Sequence, residues 1–393
     1  MKIGILTLPL SSNYGGILQC YALQTVLERM GHEVVVLDRA SAASTAPSAG
    51  LILLRCGSVL KCLFRRYILG KKNIAILSPW SRIYVIDKSE LIDNSLLLKF
   101  VRKHINITRP LRSSEALLKC VKRQKLDCLI VGSDQVWREC YSPFLTDCFA
   151  GFLPEDDKML KITYGASFGT SENPISEQML ETCKRLSSRF DAISVREKSA
   201  VGLVKQYFGK HAELVLDPTL LLDADDYVIE RPKTARSVTA EQDTLVSYVL
   251  DIDEKKAKIS NEVADALGLK ERFMGFRPQK TDGSPDKMIP VQSWLDNFRN
   301  SSFVVTDSFH GCVFSIINRK PFIAIVNHSR GADRFVSMLS QLGLEGRMVN
   351  DYEEFNARRS ELIAPIDYSE VYSKLQKLKA HSLGYLSGML ERK

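Results

Sequence analysis

The chain has 393 residues, of which 45% are apolar and 25% are charged. These fractions are average for soluble globular proteins, so they exclude a disordered chain, a collagen-like fibre and a disulfide-rich miniprotein, and the length suits two or three domains. The 54 Lys and Arg exceed the 46 Asp and Glu by +8, a mild excess that fits an anionic substrate or an anionic membrane surface at least as well as nucleic acid, so no nucleic-acid partner is expected.

The N-terminal segment has the pattern of a parallel βαβ unit. Residues 2–8 form an apolar run, the turn PLSSNYGG follows, and apolar residues then recur at helical spacing until Gly31. A second apolar run covers 33–38. Because both predicted strands are apolar throughout, we expect them to be covered on both faces.

An insertion of different composition follows at about 40–90. Residues 40–50 are small and turn-forming, whereas 51–75 combine apolar residues with six lysines and arginines. One interpretation is an appended helical lobe with a solvated basic face, and the other is a surface that docks on anionic lipid. Helices are then predicted over 88–103 and 113–124.

Two runs of α/β alternation fill the rest of the chain. In the first, strands are predicted at 127–132, 161–167, 191–197 and 213–218, with helices at 174–189 and 198–209. In the second, strands are predicted at 244–250, 271–275, 302–308 and 321–327, with helices at 253–267, 290–299, from His310, at 332–343 and at 367–391. The polar, irregular stretch 224–243 separates them. The sequence therefore predicts an α/β fold of two Rossmann-like domains, 1–223 and 244–393, facing across a cleft where such sheets bind ligands.

The cysteines and apolar stretches bear on the compartment. There are nine cysteines and no CxxC pair, which predicts buried free thiols in a reducing cytosol and no zinc or other metal site. The N-terminal apolar run is short and lacks a cleavage site, and no uninterrupted stretch reaches the roughly 18 apolar residues that span a bilayer. A cytoplasmic location is expected, with peripheral contact to the inner face of the membrane as an alternative for the basic segment.

Polar motifs follow several predicted strands. Asn13, Gly15 and Gly16 come after the first strand and could turn backbone N–H groups toward an anion. By itself this motif is more typical of a tight turn, because it matches neither known phosphate-binding glycine pattern.

A second motif follows the strand at 127–132. Ser133, Asp134 and Gln135 could hydrogen-bond a sugar, and Trp137 could stack on its apolar face. An equally good interpretation is an Asx-type helix cap made by Ser133 or Asp134.

Charged residues mark three further strand ends. Arg196 offers a bidentate fork for phosphate or carboxylate, or else a salt bridge with Asp217 or Glu197. Ser308 and His310 open a predicted helix, where the imidazole could act as general acid or base, or could bond a backbone carbonyl.

The last strand end carries two arginines. Arg330 and Arg334 lie just past the predicted strand 321–327. Ser329, which lies beside them, has no base at a triad spacing and is not a candidate nucleophile.

In their order along the chain, these segments resemble the polysaccharide pyruvyl transferase family. The resemblance covers most of the chain apart from 40–90 and the tail. The segments that carry it are NYGGILQCYALQ (13–24), DCLIVGSDQVW (127–137), ITYGASFG (162–169), AISVREKSA (192–200), VLDPTLLL (215–222) and TDSFHGCVFSIINRKPFIAI (306–325).

The resemblance implies a fold and an activity. The fold would be GT-B-like, and the reaction would transfer pyruvate from phosphoenolpyruvate onto two hydroxyls of a sugar as a cyclic ketal, in surface or exopolysaccharide (capsule) biosynthesis. No cofactor is implied, and the acceptor would be a sugar or a lipid-linked oligosaccharide.

The resemblance also implies roles for individual residues. His310 matches the family's functional histidine and Arg196 its first arginine. Arg330 matches a basic residue that is often Lys, and Arg334 is the alternative. We expect His310 to move the protons, the arginines to bind carboxylate and phosphate, and Asp134 to orient the sugar or take its proton.

Two other functions share parts of this pattern. A nucleotide-sugar glycosyltransferase would have the same fold and cleft, and a non-catalytic glycan- or anion-binding protein would have the same polar groups. If the domains face each other as predicted, His310, Arg196 and Arg330 converge in one cleft. Asn13, Gly15, Gly16 and Asp134 would then line its opposite wall.

Overall fold

The computed structural model of the protein describes residues 1–40, 84–87, 90–142, 144–229, 243–275, 286–327 and 330–391. The predicted basic appendage at 51–75 and most of the predicted linker at 224–243 lie outside these residues. Within the described ranges, no helix has both the length and the apolar character needed to cross a membrane.

Strands and helices alternate through most of the described chain. The strands are β1 (Lys2–Leu6), β2 (Glu33–Val36), β3 (Tyr84–Asp87), β4 (Glu90–Asp93), β5 (Cys128–Val131), β6 (Leu160–Thr163), β7 (Ser194–Val195), β8 (Glu213–Leu214), β9 (Thr244–Tyr248), β10 (Lys270–Phe273), β11 (Asp286–Lys287), β12 (Phe303–Thr306), β13 (Phe322–Ile325) and β14 (Met348–Val349). The α-helices are α1 (Tyr14–Arg29), α2 (Ser95–His104), α3 (Ser114–Gln124), α4 (Glu177–Ser187), α5 (Lys198–Leu203), α6 (Glu254–Leu267), α7 (Val291–Asn300), α8 (Phe309–Ile317), α9 (Ala332–Leu342), α10 (Tyr352–Ala357), α11 (Arg359–Leu362) and α12 (Tyr368–Leu390).

The first half contains a parallel sheet in the order β2-β1-β5-β6. Isolated bridges from Ile162 to Ala192 and from Ala166 to Val195 place the parallel pair β7–β8 beside β6. The chain enters this sheet at β1, builds outward to β2, and returns to β5 on the other side of β1. Such a reversal of strand order opens a crevice at the carboxyl ends of β1 and β5.

The second half repeats this arrangement in a separate sheet. Its order is β10-β9-β12-β13-β14, and every pairing is parallel. Strand order reverses between β9 and β12, so the second crevice lies at the carboxyl ends of those two strands. The continuous apolar runs of the sequence become strands buried along their length, as β5 and β12 show, because helices cover both faces.

A small third sheet lies outside both units. β3 and β4 form an antiparallel pair, and β11 joins β4 in parallel. The helix predicted over 88–103 is therefore shorter than expected: residues 90–93 are a strand, and α2 begins at Ser95. The apolar pattern of the sequence did not predict the pairing of β4 with β11, because β11 lies in the second half of the chain.

The two halves are packed against each other. Tyr14 at the start of α1 stacks on Trp294 of α7, with ring centroids 5.1 Å apart and planes 9° apart. The Tyr14 hydroxyl donates a hydrogen bond to the Ile289 carbonyl at 2.8 Å. One hydrophobic cluster accordingly contains side chains from both halves.

The terminal helix α12 also contacts both halves. Near its start, the Tyr368 hydroxyl donates to the carbonyl of Lys320 in the second half. Near its end, the Tyr385 hydroxyl donates to the carbonyl of Thr163 in the first half, and Ser382 accepts from the Leu216 N–H. The helix therefore crosses from one half to the other, and the division at 224–243 stays a prediction.

Candidate active site

Two helix N-termini meet where the crevices of the two sheets face each other. α1 follows β1, and the Asn13 side chain caps it by accepting from the Gly16 N–H at 3.2 Å. α8 follows β12, and Ser308 caps it by accepting from the Gly311 N–H at 3.4 Å. Both residues were predicted as substrate contacts, and the structure gives both a capping role.

Gly15 lets these two helix ends approach closely. A Cβ atom at Gly15 would overlap the imidazole of His310. By contrast, a Cβ at Gly16 would meet its nearest neighbours, which include Asp134, at an ordinary contact distance of 3.5 Å. The sequence suggested that these glycines let backbone N–H groups turn toward an anion. The structure shows instead that Gly15 makes room for His310 of the other half.

Arg196 lies in the centre of a buried charged cluster. Its Nη1 donates to Asp217 Oδ2 at 2.6 Å and its Nη2 to Asp134 Oδ1 at 2.8 Å. Burial would lower the pKa of Arg196, but the two carboxylates outweigh it and raise the pKa. The guanidinium is therefore a permanent cation, held by both of its outer nitrogens.

Asp134 is an ionised partner in the same cluster. Its backbone has φ of +80°, which is unusual for a residue other than glycine, and its Oδ1 also accepts from the Gln135 N–H. Burial favours the neutral acid, yet the charges of Arg196 and Arg334 lower its pKa overall. A carboxylate of low pKa is a weak base, so these contacts favour the orienting role over the proton-accepting one.

Of the two arginines after β13, the structure places Arg334 in the cluster. Its side chain is 8% exposed, and Nη1 lies 3.8 Å from Asp134 Oδ1. Burial lowers its pKa to about 10, so it remains a cation at neutral pH.

Arg330 lies at the rim. Its Nε and Nη2 each donate to a carboxylate oxygen of Asp251 at 2.6 Å, and its side chain is 45% exposed. The sequence predicted that Arg330 would meet His310 and Arg196. The structure instead places Arg334 in the cluster, one helical turn further along the chain.

Phe309 holds the two buried arginines in place. The Arg196 guanidinium carbon lies 5.2 Å from the centroid of its ring, and that of Arg334 lies 5.3 Å away. Such cation–π contacts fix the positions of both guanidinium groups without using their hydrogen bonds.

His310 is buried beside these charges. Its Nε2 lies 3.8 Å from Asp217 Oδ2, too far for a hydrogen bond. Burial is the largest cause that lowers its pKa to about 4, and it outweighs the opposing effect of Asp217. The imidazole is therefore neutral at neutral pH, and it can accept a proton.

Three buried nitrogen atoms of this cluster have no hydrogen-bond partner among the described residues: His310 Nε2, Arg196 Nε and Arg334 Nε. A buried polar group without a partner costs about 1–3 kcal/mol, and more when it is charged. Two cationic N–H donors and one neutral imidazole nitrogen are thus available to hydrogen-bond a ligand. An anionic ligand with several oxygens matches them chemically.

Three of the predicted sugar contacts are engaged elsewhere. Trp137 is fully buried, stacks on Phe149 at 5.1 Å and donates to the Cys148 carbonyl, so its ring cannot receive a sugar. Ser133 is buried and donates to the Gly165 carbonyl. Gln135 accepts from Arg138. The prediction of a stacking tryptophan is wrong because the ring fills the core beneath the loop.

The sequence did not single out Asp217, Phe309 or Asp307 as site residues. Asp217 ends the predicted strand 213–218, so its position was a usable signal. Asp307 is buried and accepts from the N–H groups of Leu250 and Asp251 and from Lys256. It thereby fixes the loop after β9 that holds Arg330 through Asp251.

Among the described residues, no group of three or more His, Cys, Asp or Glu side chains is placed to hold a metal ion.

Comparison with known proteins identifies one family. A family model described as polysaccharide pyruvyl transferase matches residues 13–329. That range runs from α1 to β13 and includes nearly all of the cluster, with Arg330 and Arg334 just beyond it. No curated protein matches the chain in sequence.

Several solved structures share the fold. Anabaena Alr3699/HepE in complex with UDP and glucose has a TM-score of 0.51 at 12% identity, covering 100% of both chains. The MnaA–UDP co-structure from S. aureus has a TM-score of 0.50 at 13% identity, covering 99% of this chain and 97% of that one. A Thermobaculum terrenum O-GlcNAc transferase mutant has a TM-score of 0.49 at 14% identity, and the match covers 100% of this chain but 66% of that protein. The first two likenesses, together with the two parallel sheets, show a GT-B-like fold of two Rossmann-like units.

Proposed function

Because this chain belongs to the polysaccharide pyruvyl transferase family, and is therefore a transferase that acts on polysaccharides, we propose that it moves pyruvate from phosphoenolpyruvate onto two hydroxyls of one sugar residue. The product is a cyclic ketal, and inorganic phosphate is released.

The observation that carries this proposal is the set of buried nitrogens without partners on His310, Arg196 and Arg334. Phosphoenolpyruvate presents a carboxylate and a phosphate on adjacent atoms. Two guanidinium groups fixed against one phenylalanine ring suit those two anions, since arginine pairs with either through a planar fork. We therefore assign donor binding to Arg196 and Arg334 in preference to Arg330.

The reaction balances in three steps. A proton adds to the methylene carbon of phosphoenolpyruvate, and positive charge develops at the carbon that bears the phosphate. One sugar hydroxyl bonds to that carbon and loses its proton. Phosphate then leaves with its bridging oxygen, and the second hydroxyl takes its place and closes the ring. Of the two hydroxyl protons lost, one balances the proton gained at the methyl group and the other leaves with phosphate.

His310 is our candidate for the proton transfers. Free of substrate it is a neutral imidazole, as its pKa of about 4 requires. An anionic donor bound beside it would raise its pKa, because an opposite charge favours the protonated ring. The protonated ring can deliver its proton to the enol carbon, and the neutral ring that results can take the proton of the attacking hydroxyl.

The arginines act on the charge that moves. Negative charge shifts onto the phosphate as its bond to carbon breaks, and a fixed cation stabilises that state more than the ground state. Asp134 keeps Arg196 aligned, and its oxygens are positioned to orient a sugar hydroxyl near the helix start at Gly16.

The test is phosphate release from phosphoenolpyruvate with a panel of sugar and lipid-linked oligosaccharide acceptors, followed by mass spectrometry of the product. The proposed reaction adds the mass of pyruvate less one water to the acceptor. The competing glycosyltransferase function predicts no reaction with phosphoenolpyruvate, and transfer from a sugar nucleotide in a parallel assay. Binding of acceptors without any turnover would instead support a glycan-binding protein.

Other expectations remain predictions. They are a role in capsule or exopolysaccharide synthesis, a cytoplasmic location with contact to an anionic membrane, and activity without a cofactor.

A further inference from the structure

Tyr141 presents an aromatic ring at the rim of the candidate site. Among the described residues, three large apolar side chains are well exposed to solvent, and the aromatic one is Tyr141, which is 39% exposed. The other two are Leu267 and Val336. An exposed ring beside a polar centre is the arrangement by which proteins hold ligands that have one apolar face.

A short chain of hydrogen bonds ties this ring to the centre of the site. The Gln135 N–H donates to Asp134 Oδ1 at 2.9 Å, and Arg138 donates to the Gln135 side chain at 2.9 Å. The Tyr141 N–H then donates to the Arg138 carbonyl at 2.9 Å. The loop after β5 thus fixes Tyr141 relative to Asp134.

One face of the ring is already covered. The Arg138 guanidinium carbon lies over it, 4.6 Å from the ring centroid. The exposed area therefore belongs to the opposite face and the ring edge.

The second half of the molecule reaches the same place. A Cβ at Gly331, the residue after Arg330, would overlap the Gly169 carbonyl, and a Cβ at Gly169 would overlap the side chain of Gln135. The segment that carries Arg330 in the second half therefore lies close to the loop of the first half that carries Gln135 and Tyr141.

We propose that Tyr141 is the stacking platform for the acceptor, a hexopyranose residue of a glycan. The C–H face of the sugar ring lies on the open face of Tyr141, and its two free hydroxyls point toward Asp134 and His310. This inference rests on the proposed function, because the proposed reaction requires an acceptor sugar with two free hydroxyls. It assigns to Tyr141 the stacking that the sequence suggested for the buried Trp137.

The probes are methyl β-galactopyranoside, methyl β-glucopyranoside and methyl α-mannopyranoside, each with free hydroxyls on carbons 4 and 6. Binding is measured without donor by saturation-transfer NMR on the full chain and on Y141A, Y141F and L267A. Leu267, the matched control, is as exposed as Tyr141 and ends α6, whose first turn is the one near the site. We expect Y141A to weaken binding about 3- to 10-fold, the range for one aromatic contact, and Y141F and L267A to bind as the wild type does. Equal binding by Y141A, or no binding of any of the three glycosides by the wild type, overturns the platform.

A second measurement separates this inference from the proposed function. If the glycosides bind through Tyr141 while phosphoenolpyruvate releases no phosphate, the platform stands and the pyruvyl transfer fails. If phosphate is released and Y141A raises the KM for phosphoenolpyruvate but not for the acceptor, the transfer stands and the platform fails.

Discussion

At the scale of single residues, His310 takes its properties from both halves of the molecule. The second half supplies the residue at the start of α8, and the first half supplies Gly15 against its ring and Asp217 near its Nε2. Burial between them lowers its pKa to about 4. The chemistry proposed for it follows from that neutral state.

The first prediction concerns this pKa. Titration of the His310 ring nitrogens by NMR should show a neutral imidazole from pH 8 down to about pH 4. Phosphoenolpyruvate should raise the pKa, because the bound anion favours the charged ring. A pKa near the ordinary value of about 6.5 in the free protein would contradict the buried geometry.

His310→Gln should lower turnover about 10²- to 10⁴-fold, the usual contribution of a general acid or base. The melting temperature should not fall. The unfolded chain protonates this histidine below about pH 6.5, whereas the folded protein keeps it neutral down to about pH 4. The native histidine therefore makes the free energy of unfolding decrease as the pH falls through that window. Removing the titrating ring should flatten that decline, which thermal melts at pH 5 and pH 7 would detect.

Gly15 offers a steric test. Gly15→Ala should displace the imidazole, since the added Cβ overlaps it, and should lower turnover by at least about 100-fold, as misplacement of a reacting group does. Gly16→Ala adds the same atom where it meets neighbours at 3.5 Å and should have a much smaller effect on kcat. Similar losses in both variants would argue that the glycines serve the backbone and not the histidine.

The two arginines after β13 can be told apart by kinetics. Arg334→Ala should raise the KM for phosphoenolpyruvate and lower kcat, because its guanidinium lies beside the charge that moves. Arg330→Lys should be tolerated in part, since it keeps a cation at the rim but loses the fork to Asp251. A larger loss in Arg330→Lys than in Arg334→Ala would restore Arg330 as the donor-binding residue.

At the scale of secondary-structure elements, α12 joins the halves. Its first turn binds the second half and its last turns bind the first. Ser382, fully enclosed in that contact, accepts the N–H of Leu216, which immediately precedes Asp217. The helix therefore supports the strand end that carries a residue of the site.

Ser382→Ala leaves the Leu216 N–H buried without a partner, which should cost about 1–3 kcal/mol of unfolding free energy. Ser387→Ala is the control on the same helix, because Ser387 donates only to the carbonyl of Gly384 at the surface. Urea unfolding of both variants measures the difference. Equal stability would show that α12 does not support this strand end.

At the scale of the whole molecule, the structure is closed around its site. His310, Arg196, Asp134 and Arg334 are each at most 7% exposed, and the stacked pair Tyr14–Trp294 lies between the halves. If the donor binds this cluster as proposed, we expect it to enter by movement of one half relative to the other. Since each half supplies cationic groups, a bound donor would hold them together.

Phosphoenolpyruvate should accordingly raise the melting temperature in a concentration-dependent way. At a concentration of 100 times its Kd, it should increase the free energy of unfolding by about 2.7 kcal/mol. Arg334→Ala should lose most of that increase, whereas Leu267→Ala should keep it. Differential scanning fluorimetry against a phosphoenolpyruvate series measures both. No stabilisation of the wild type would contradict donor binding in this cluster.

Local sequence pattern is enough to predict the alternation of strands and helices, the two polar helix starts at Asn13 and Ser308, and the strand ends from which site residues emerge. Burial on both faces produces continuous apolar strands, and parallel strands bring their carboxyl ends to one edge, so local pattern is enough to find these positions. For the same reason, the helix predicted over 113–124 and the strand predicted over 127–132 match α3 (Ser114–Gln124) and β5 (Cys128–Val131) closely.

Which of those side chains meet depends on how the two halves pack against each other. Arg334 lies in the cluster and Arg330 at its rim because Asp251, far away in sequence, binds Arg330. Trp137 is buried and Tyr141 exposed because the loop after β5 folds over an aromatic core that includes Phe149. Contacts between residues distant along the chain leave no periodic signal in the sequence, so the partners of each charge appear only when the two halves are packed together.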